Sequence, residues 1–197
     1  MKTILFSVFL LFTVFSLNAQ SRQTAKATVN KMASVPVFVY AKPADGYSSK
    51  GTITATWTFI ASGVGGDIGV NAMARELIGK AKRKVKKGKL PAFDAIIINP
   101  VDFQGTLVTL KKKDSRDANV TRVSGVPIYL YSAPQKPYKK LKKVSANWQA
   151  ISSDMSLDEG VSKIVAMAKK KEKKGKVPAF DAIIVNPDNY TGTLIKF

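Results

Sequence analysis

The amino-acid sequence predicts an α+β protein with two tandem ββαββ repeats, packed with pseudo-twofold symmetry, after a cleaved signal peptide. First, GKLPAFDAIIINP at residues 88–100 returns as GKVPAFDAIIVNP at 175–187 with two positions changed. Second, each copy passes from strand-like to helix-like spacing of apolar residues and back. Third, the amino terminus is a continuous apolar run. The predicted boundaries are 1–19 for the signal peptide, 20–33 for an N-terminal extension, 34–110 for repeat 1, 111–125 for a linker and 126–197 for repeat 2.

The amino terminus has the organisation of a secretory signal peptide. Lys2 precedes an apolar run over 4–17, and Ala19 supplies a small residue where a signal peptidase would cut. The run is shorter than the ~20 apolar residues of a membrane-spanning helix and has no basic stop-transfer flank. A lipid anchor would need a cysteine, which the chain lacks. We therefore expect export to the periplasm or the medium, with a mature chain of 178 residues from Gln20.

Each repeat begins with two strands. The runs VPVFVYA at 35–41 and VPIYLYS at 126–132 are rich in β-forming residues and bounded by prolines. In TITATWTFI at 52–60 apolar residues alternate with polar ones, and the alternation returns at 144–150, which is typical of a half-buried strand. A shift of 91 positions superimposes these regions, but 87 superimposes the later ones, so the first copy has a loop insertion at the glycine-rich segment 62–69.

A helix follows in each copy. Apolar residues at spacings of three and four predict helices over 70–85 and 157–168. Ser156, with a glutamate three residues later, forms a capping box before the second helix. Gly88 and Gly175 suit the left-handed position that ends a helix, and a proline lies just beyond each.

Two further strands complete each copy. The apolar runs at 95–98 and 182–185 do not alternate with polar residues, so these strands should be buried on both faces or lie centrally under the helix. The segments 105–110 and 192–197 supply the last strands. One unit alone has a small core, so we expect the two copies to pack against each other.

The chain has neither cysteine nor histidine. Zinc sites of the usual Cys/His kind are therefore excluded, as are serine–histidine, cysteine–histidine and histidine general-base mechanisms. Stability must come from apolar packing without disulfides. We predict a non-catalytic protein with no cofactor and no metal.

Basic residues are concentrated at the carboxyl ends of the two helices. The formal net charge is +19, or +18 for the mature chain without Lys2. Cations favour a helix C-terminus by roughly 0.3–1 kcal/mol, but one lysine would be enough for that. We therefore predict anion binding by twelve residues: Lys80, Lys82, Arg83, Lys84, Lys86 and Lys87 in one copy, and Lys169, Lys170, Lys171, Lys173, Lys174 and Lys176 in the other.

The predominance of lysine over arginine in these runs predicts diffuse, salt-sensitive binding without sequence-specific recognition of nucleic acid. Lipopolysaccharide, acidic polysaccharide, anionic lipid and extracellular nucleic acid all fit as partners, so an anionic polymer or a membrane surface is expected. The alternative is a structural or signalling module of the cell envelope that binds a protein partner or its own copies, with the lysines only solvating it.

Two other groups of residues have a chemical and a structural interpretation. Asp94 and Asp181 could act as the acid and base of a hydrolase if they shared a cleft, but a structural ion pair or turn acceptor is the simpler role. The matched aromatics Tyr47, Tyr138, Trp57 and Trp148 could form stacking surfaces for sugars or bases. Trp57 and Trp148 keep the inward phase of their strands, however, and are expected in the core. Four tyrosines have hydroxyls that need water or a partner: Tyr40, Tyr47, Tyr131 and Tyr138.

The run VFVYAKPADGYSSKGTITA at 37–55, followed by an amphipathic helix and FDAIIINP at 93–100, resembles the small β-β-α-β-type domains of RcsF-like and YbjQ-like envelope proteins. The resemblance implies this fold, an envelope location and oligomerisation, in two tandem copies. The second copy departs from the pattern at Ala133 and Lys142, which replace a lysine and a glycine. The disulfides and lipid anchor of RcsF-like proteins have no counterpart here, and no functional residue is carried over.

Overall fold

The computed structural model describes residues 25–56, 70–146, 157–187 and 189–197. Within these ranges it contains two helices and fourteen strands arranged in three sheets, so the protein belongs to the α+β class. The predicted fold class is confirmed at this level. Neither helix within these ranges is both long and apolar enough to cross a bilayer.

The elements of the first half are β1 (Lys26–Val29), β2 (Lys31–Met32), β3 (Val35–Val39), β4 (Ala41–Pro43), β5 (Tyr47–Thr54), α1 (Val70–Lys86), β6 (Ala95–Asn99) and β7 (Gln104–Leu110). Those of the second half are β8 (Asp117–Val120), β9 (Arg122–Val123), β10 (Val126–Leu130), β11 (Ser132–Pro134), β12 (Lys139–Ser145), α2 (Leu157–Lys173), β13 (Ala182–Asn186) and β14 (Thr191–Lys196).

Each half has a five-stranded sheet with the same order of strands. The orders are β2-β3-β6-β7-β5 and β9-β10-β13-β14-β12. The pairs β3–β6 and β10–β13 are parallel, and the others are antiparallel. A parallel pair needs a crossover connection, and α1 and α2 lie within these two connections. In both halves the edge strand, β5 or β12, precedes the helix and pairs with the last strand.

The third sheet is built from both halves. Its order is β11-β1-β8-β4, so each half contributes two strands. At its centre β1 and β8 are antiparallel, with Ala27 opposite Ala118, which lie 91 positions apart in the sequence. The outer strands are exchanged, because β4 pairs with β8 and β11 pairs with β1. We call this four-stranded sheet the shared sheet.

A left-handed residue marks the point where each chain segment enters the shared sheet. Tyr40 lies between β3 and β4 with φ 52°, and Tyr131 lies between β10 and β11 with φ 50°. Each tyrosine carbonyl accepts a hydrogen bond from the opposite half: Thr121 N donates to Tyr40 O at 2.8 Å, and Asn30 N donates to Tyr131 O at 3.0 Å. The exchange between the halves is therefore reciprocal.

Two apolar cores lie on opposite faces of the five-stranded sheets. The helix-side core includes the buried stripes of α1 and α2. The second core includes residues of the shared sheet and of the outer faces of the five-stranded sheets, and five of its members are alanines: Ala27, Ala41, Ala95, Ala118 and Ala182. Because alanine side chains are small, they suit close approach of the sheets.

Phe38 and Tyr129 are the large residues of this second core, and both are fully buried. They are 91 positions apart in the sequence. The hydroxyl of Tyr129 donates to the carbonyl of Lys26, at 3.4 Å, in the opposite half. Burial raises the pKa of Tyr129, although the charge of Arg122 acts in the opposite direction. The phenol therefore stays neutral over the physiological range.

The helix ends agree with the predicted glycine caps. Gly88 and Gly175 have φ values of 66° and 65°. The amide of the next residue donates back to a carbonyl of the last turn, from Lys89 to Lys84 at 2.9 Å, with the matching bond at 2.8 Å in the second half. This Schellman arrangement satisfies carbonyls that the helix itself leaves free.

The predicted ββαββ pattern leaves out three short strands in each half. They are β1, β2 and β4 in the first half and β8, β9 and β11 in the second. β1 and β2 lie in the predicted extension 20–33, and β8 and β9 lie in the predicted linker 111–125. β1 and β8 offer only two apolar positions each, in KATV and DANV, and their partners lie in the other half. β2 and β9 have only two residues each. Trp57, Trp148, the loop 62–69, Ser156 and the signal peptide lie outside the described residues.

Candidate anion-binding site

The predicted binding residues lie at the carboxyl ends of the two helices and in the turns that follow. All twelve are in the last turns of α1 or α2 or within three residues after them. Ten side chains are exposed, and Lys80 and Lys171 are half-buried. The predicted clusters are therefore accessible, but their members do not have equal roles.

Two of the twelve predicted residues fasten the helices to hairpin turns. Lys82 Nζ donates to the carbonyl of Ala33 at 2.8 Å, and Lys169 Nζ donates to the carbonyl of Ser124 at 2.6 Å. Ala33 and Ser124 are the first residues of the β2–β3 and β9–β10 turns, and both have positive φ. Since these ammonium groups already hold a backbone acceptor, we assign Lys82 and Lys169 a structural role.

A shallow depression lies at the carboxyl end of α2. Its volume is about 260 Å³, and it is lined by Met167, Lys170, Lys171, Lys174 and Lys176. Its wall is almost entirely carbon, formed by the methionine and the aliphatic stems of the lysines. Long cationic side chains commonly bury their stems while the charge stays in water. The result is an apolar floor with a cationic rim, which we call the α2 depression.

The edge strand β12 adds positive charge beside this depression. Lys142 Nζ donates to the carbonyl of Lys176 at 3.2 Å, which ties the strand to the turn after α2. Four lysines of β12 are exposed: Lys139, Lys140, Lys142 and Lys143. The cationic surface of the second half thus continues from the helix end onto the sheet edge.

The corresponding place in the first half is built differently. Lys80 occupies the position of Met167, 87 residues earlier, and its Nζ donates to the carbonyl of Thr54 at 2.6 Å. Gly51 stands where the second half has Lys142, and β5 carries a single lysine, Lys50. A charged, hydrogen-bonded side chain therefore occupies the place of the apolar floor.

Met167 and Lys142 were not among the predicted site residues. The apolar periodicity of α2 makes Met167 look like an ordinary core residue, and Lys142 lies in a separate run of the sequence. The signal that could have identified them is the difference between the copies, Lys80 against Met167 and Gly51 against Lys142.

The two aspartates act as acceptors within their own sheets. Asp94 Oδ2 accepts from the amide of Leu110 at 3.0 Å, and Asp181 Oδ2 accepts from the amide of Phe197 at 2.9 Å. Asp181 also forms an ion pair with Lys196 at 2.7 Å. Burial acts to raise the pKa of Asp181, but the hydrogen bonds from Lys196 and Phe197 and the charge of Lys196 outweigh it, so the pKa is lowered. These contacts support the structural interpretation of both acids.

The tyrosines divide between core and surface. Tyr40 and Tyr131 are half-buried and pack against the helix-side core. The Tyr40 hydroxyl is buried and has no hydrogen-bond partner among the described residues. Tyr47 is 37% exposed, whereas Tyr138 packs partly against the core of the shared sheet. The four side chains do not share one environment.

In the part of the chain that the structure describes, there is no group of three or more acidic, histidine or cysteine side chains that could hold a metal ion. The α2 depression, with its cationic rim, is instead suited to an anionic group.

Comparison of this chain with protein-family models, curated proteins and solved structures finds no match. The resemblance to RcsF-like and YbjQ-like domains therefore stays a prediction.

Proposed function

We propose that this chain is an exported, non-catalytic protein that binds an anionic envelope or extracellular partner, a polymer or a membrane surface, through its lysine-rich helix ends. The observation that carries this function is the α2 depression, where four lysines surround one small concave surface. A cationic concavity concentrates anions because the fields of its charges add.

The local charge balance supports the same function. Between Lys169 and Lys176 the chain has six lysines and one acidic residue, Glu172. Lys139, Lys140, Lys142 and Lys143 of β12 extend the positive surface. A net charge of +19 for the chain favours acidic partners generally, and in the second half these two segments together supply ten lysines against one acidic residue. Since lysines act as mobile point charges, binding should be strongly salt-dependent.

We also propose the cellular setting from the sequence. The amino-terminal apolar run supports export, and the near-identity of 88–100 and 175–187 supports descent of the two halves from one duplicated ββαββ unit. The matching strand orders of the two five-stranded sheets are consistent with the duplication. An envelope location of the RcsF-like kind fits both features.

Salt-dependent binding of the mature chain to immobilised heparin tests this function. We expect retention at low salt that falls steeply toward moderate salt, and a loss of retention in the double variant K170E/K174E. The matched first-half variant R83E/K87E should weaken retention less, because that half lacks the lysines of β12. Retention that changes neither with the salt concentration nor in the K170E/K174E variant would contradict the proposal.

A second function is favoured by the edge strand β5. Its residues 47–50 are all exposed and include one lysine, whereas the matching strand β12 carries four. Lysines on an edge strand oppose pairing with another chain, so β12 is protected by its four lysines. β5 has a single lysine, and its edge is interrupted by the bulge between Ser49 and Gly51. A protein partner could add a strand there. A partner that still binds K170E/K174E but not a proline variant at Tyr47, whose amide points away from β7, would identify this function.

A further inference from the structure

We infer that the α2 depression holds the apolar part of an anionic lipid while its lysines hold the head group. This inference rests on the proposed function and narrows it to a membrane surface. The depression is lined by Met167 and four lysines.

The floor of the depression is apolar. Met167 is half-buried and packs against the helix-side core, so its inner side is fixed while its outer side faces the depression. Methionine is flexible and polarisable, and it adapts to irregular apolar ligands. A purely hydrophilic polyanion would gain no binding free energy from this apolar floor. The acyl chain of a lipid would cover the floor and remove its apolar surface from water, which favours binding.

The rim of the depression is cationic. Lys170, Lys171, Lys174 and Lys176 contribute their stems to the wall, which leaves the ammonium groups to reach a charge at the mouth. Lys142 is held beside this rim by its bond to the carbonyl of Lys176. A ligand with an anionic group next to an apolar group would contact both the cationic rim and the apolar floor.

The first half supplies an internal reference. There Lys80 replaces the methionine and donates to the Thr54 carbonyl, and Gly51 replaces Lys142. Arg83, Lys84, Lys87 and Lys89 still match the rim residues. The first half thus keeps a cationic rim without the apolar floor, and it should bind anions without preferring lipids.

The size of the depression suits part of a lipid. Its volume of about 260 Å³ is below the 300–1,000 Å³ of pockets that enclose a drug-sized ligand. A shallow site of this kind cannot enclose a whole lipid. It can receive the part of an acyl chain next to the head group while the rest of the lipid stays in the bilayer, so the expected partner is an anionic membrane surface.

The test measures binding of the full mature chain to vesicles and to heparin. Vesicles of phosphatidylcholine with phosphatidylglycerol present an anionic lipid, vesicles of phosphatidylcholine alone are the control, and heparin is a polyanion without an apolar part. M167Q keeps the charge and removes the apolar floor, and we expect it to weaken binding to anionic vesicles about five- to tenfold. M167L should weaken it less than M167Q.

M167K separates the inference from the proposed function. The added charge should tighten heparin binding while the loss of the floor weakens binding to anionic vesicles. If M167Q and M167K leave vesicle binding unchanged or stronger while K170E/K174E abolishes it, the lipid inference is overturned and the proposed function stands. If the unaltered chain binds neither heparin nor anionic vesicles, both are overturned.

Discussion

The two halves of the molecule share a frame but differ at the surface beside the end of each helix. Both have the same strand order, the same glycine caps and the same lysine bond from helix to hairpin turn. They differ at three pairs of corresponding positions, where the first half has one residue and the second half another: Lys80 and Met167, Gly51 and Lys142, and Thr109 and Lys196.

This difference separates residues that build the fold from residues that distinguish one surface. The matched features satisfy backbone groups or fill a core, so changing them would cost stability in either half. The unmatched features alter exposed or half-buried positions and leave the backbone pairing intact. The comparison therefore supports placing the proposed binding surface in the second half.

The largest expected effect comes from separating the halves. A chain of residues 20–112 lacks the strands β8 and β11, which pair with β1, and it leaves the alanine-rich core of the shared sheet open. We expect no cooperative unfolding of such a fragment as a monomer. Circular dichroism during heating and sedimentation velocity would measure this.

The pairing of Ala27 with Ala118 provides the control for that experiment. Because these positions correspond, β1 of one fragment can pair with β1 of a second in the same register. Any folded form of the fragment should thus be a dimer whose stability depends on concentration. A cooperative, monomeric 20–112 fragment would contradict the exchange of strands described above.

The next largest effect is expected from alanine substitutions at two corresponding glycines that lie under the helices, Gly105 and Gly192. A Cβ on Gly192 would meet Ile164 Cγ2 at 2.6 Å and Ile183 Cγ2 at 2.8 Å, and one on Gly105 would meet the more flexible end of Ile96. Since the Cγ2 methyl groups are attached directly at branched Cβ atoms, they have little freedom to move. We expect G192A to lower the free energy of unfolding by about 3 kcal/mol and G105A by about 1–2 kcal/mol, measured by urea denaturation.

Gly79 is a control of opposite sign for these substitutions. It lies in the middle of α1, and among the described residues a Cβ there would approach only Arg83 Nη1, at 3.7 Å. Alanine should stabilise the helix by about 0.5–1 kcal/mol because glycine is a poor helix former. Equal destabilisation by G79A and G192A would show that close packing under the helices does not determine the result.

Much of the fold could be predicted from the sequence because its signals are local. The apolar spacing of α1 and α2, the glycines that end them and the runs at 95–98 and 182–185 each depend on a few neighbouring residues. The shared sheet could not be predicted in this way. Its strands have three or four residues, and their partners lie in the other half, so composition and periodicity contain no signal for the pairing.

The candidate site was predicted only as a charge distribution. Lysine runs can be read directly from the sequence, but their hydrogen bonds depend on which turn each side chain can reach. Lys82 and Lys169 illustrate this, since their acceptors lie 49 and 45 residues earlier. The apolar floor of the α2 depression depends on tertiary placement of Met167, which is why a list of basic residues did not include it.

A smaller effect is expected from the lysines that bind the hairpin turns. K82M and K169M keep most of the aliphatic stem but remove the donor to Ala33 or Ser124. Each should lower the free energy of unfolding by about 0.5–1 kcal/mol, since these bonds are exposed. K86M, an exposed position on the same helix as Lys82, is the control and should change stability by less than about 0.5 kcal/mol. Equal effects at all three sites in thermal denaturation would remove the structural assignment.

The smallest effect concerns the ion pair that only the second half has. K196T introduces the residue that the first half has at the corresponding position, Thr109. It removes the ion pair between Lys196 Nζ and Asp181 Oδ1, which are 2.7 Å apart. Because the pKa of Asp181 is lowered in the folded protein, its contribution is complete above the ordinary pKa of aspartate, about 4, and is lost as the pH falls through the lower folded value. Both side chains are about one-third exposed or more, so we expect K196T to cost only about 0.5 kcal/mol at pH 7. The difference from the unaltered chain in urea denaturation should shrink as the pH is lowered below about 4, and a difference that does not shrink would have to come from packing of the lysine stem instead of its charge.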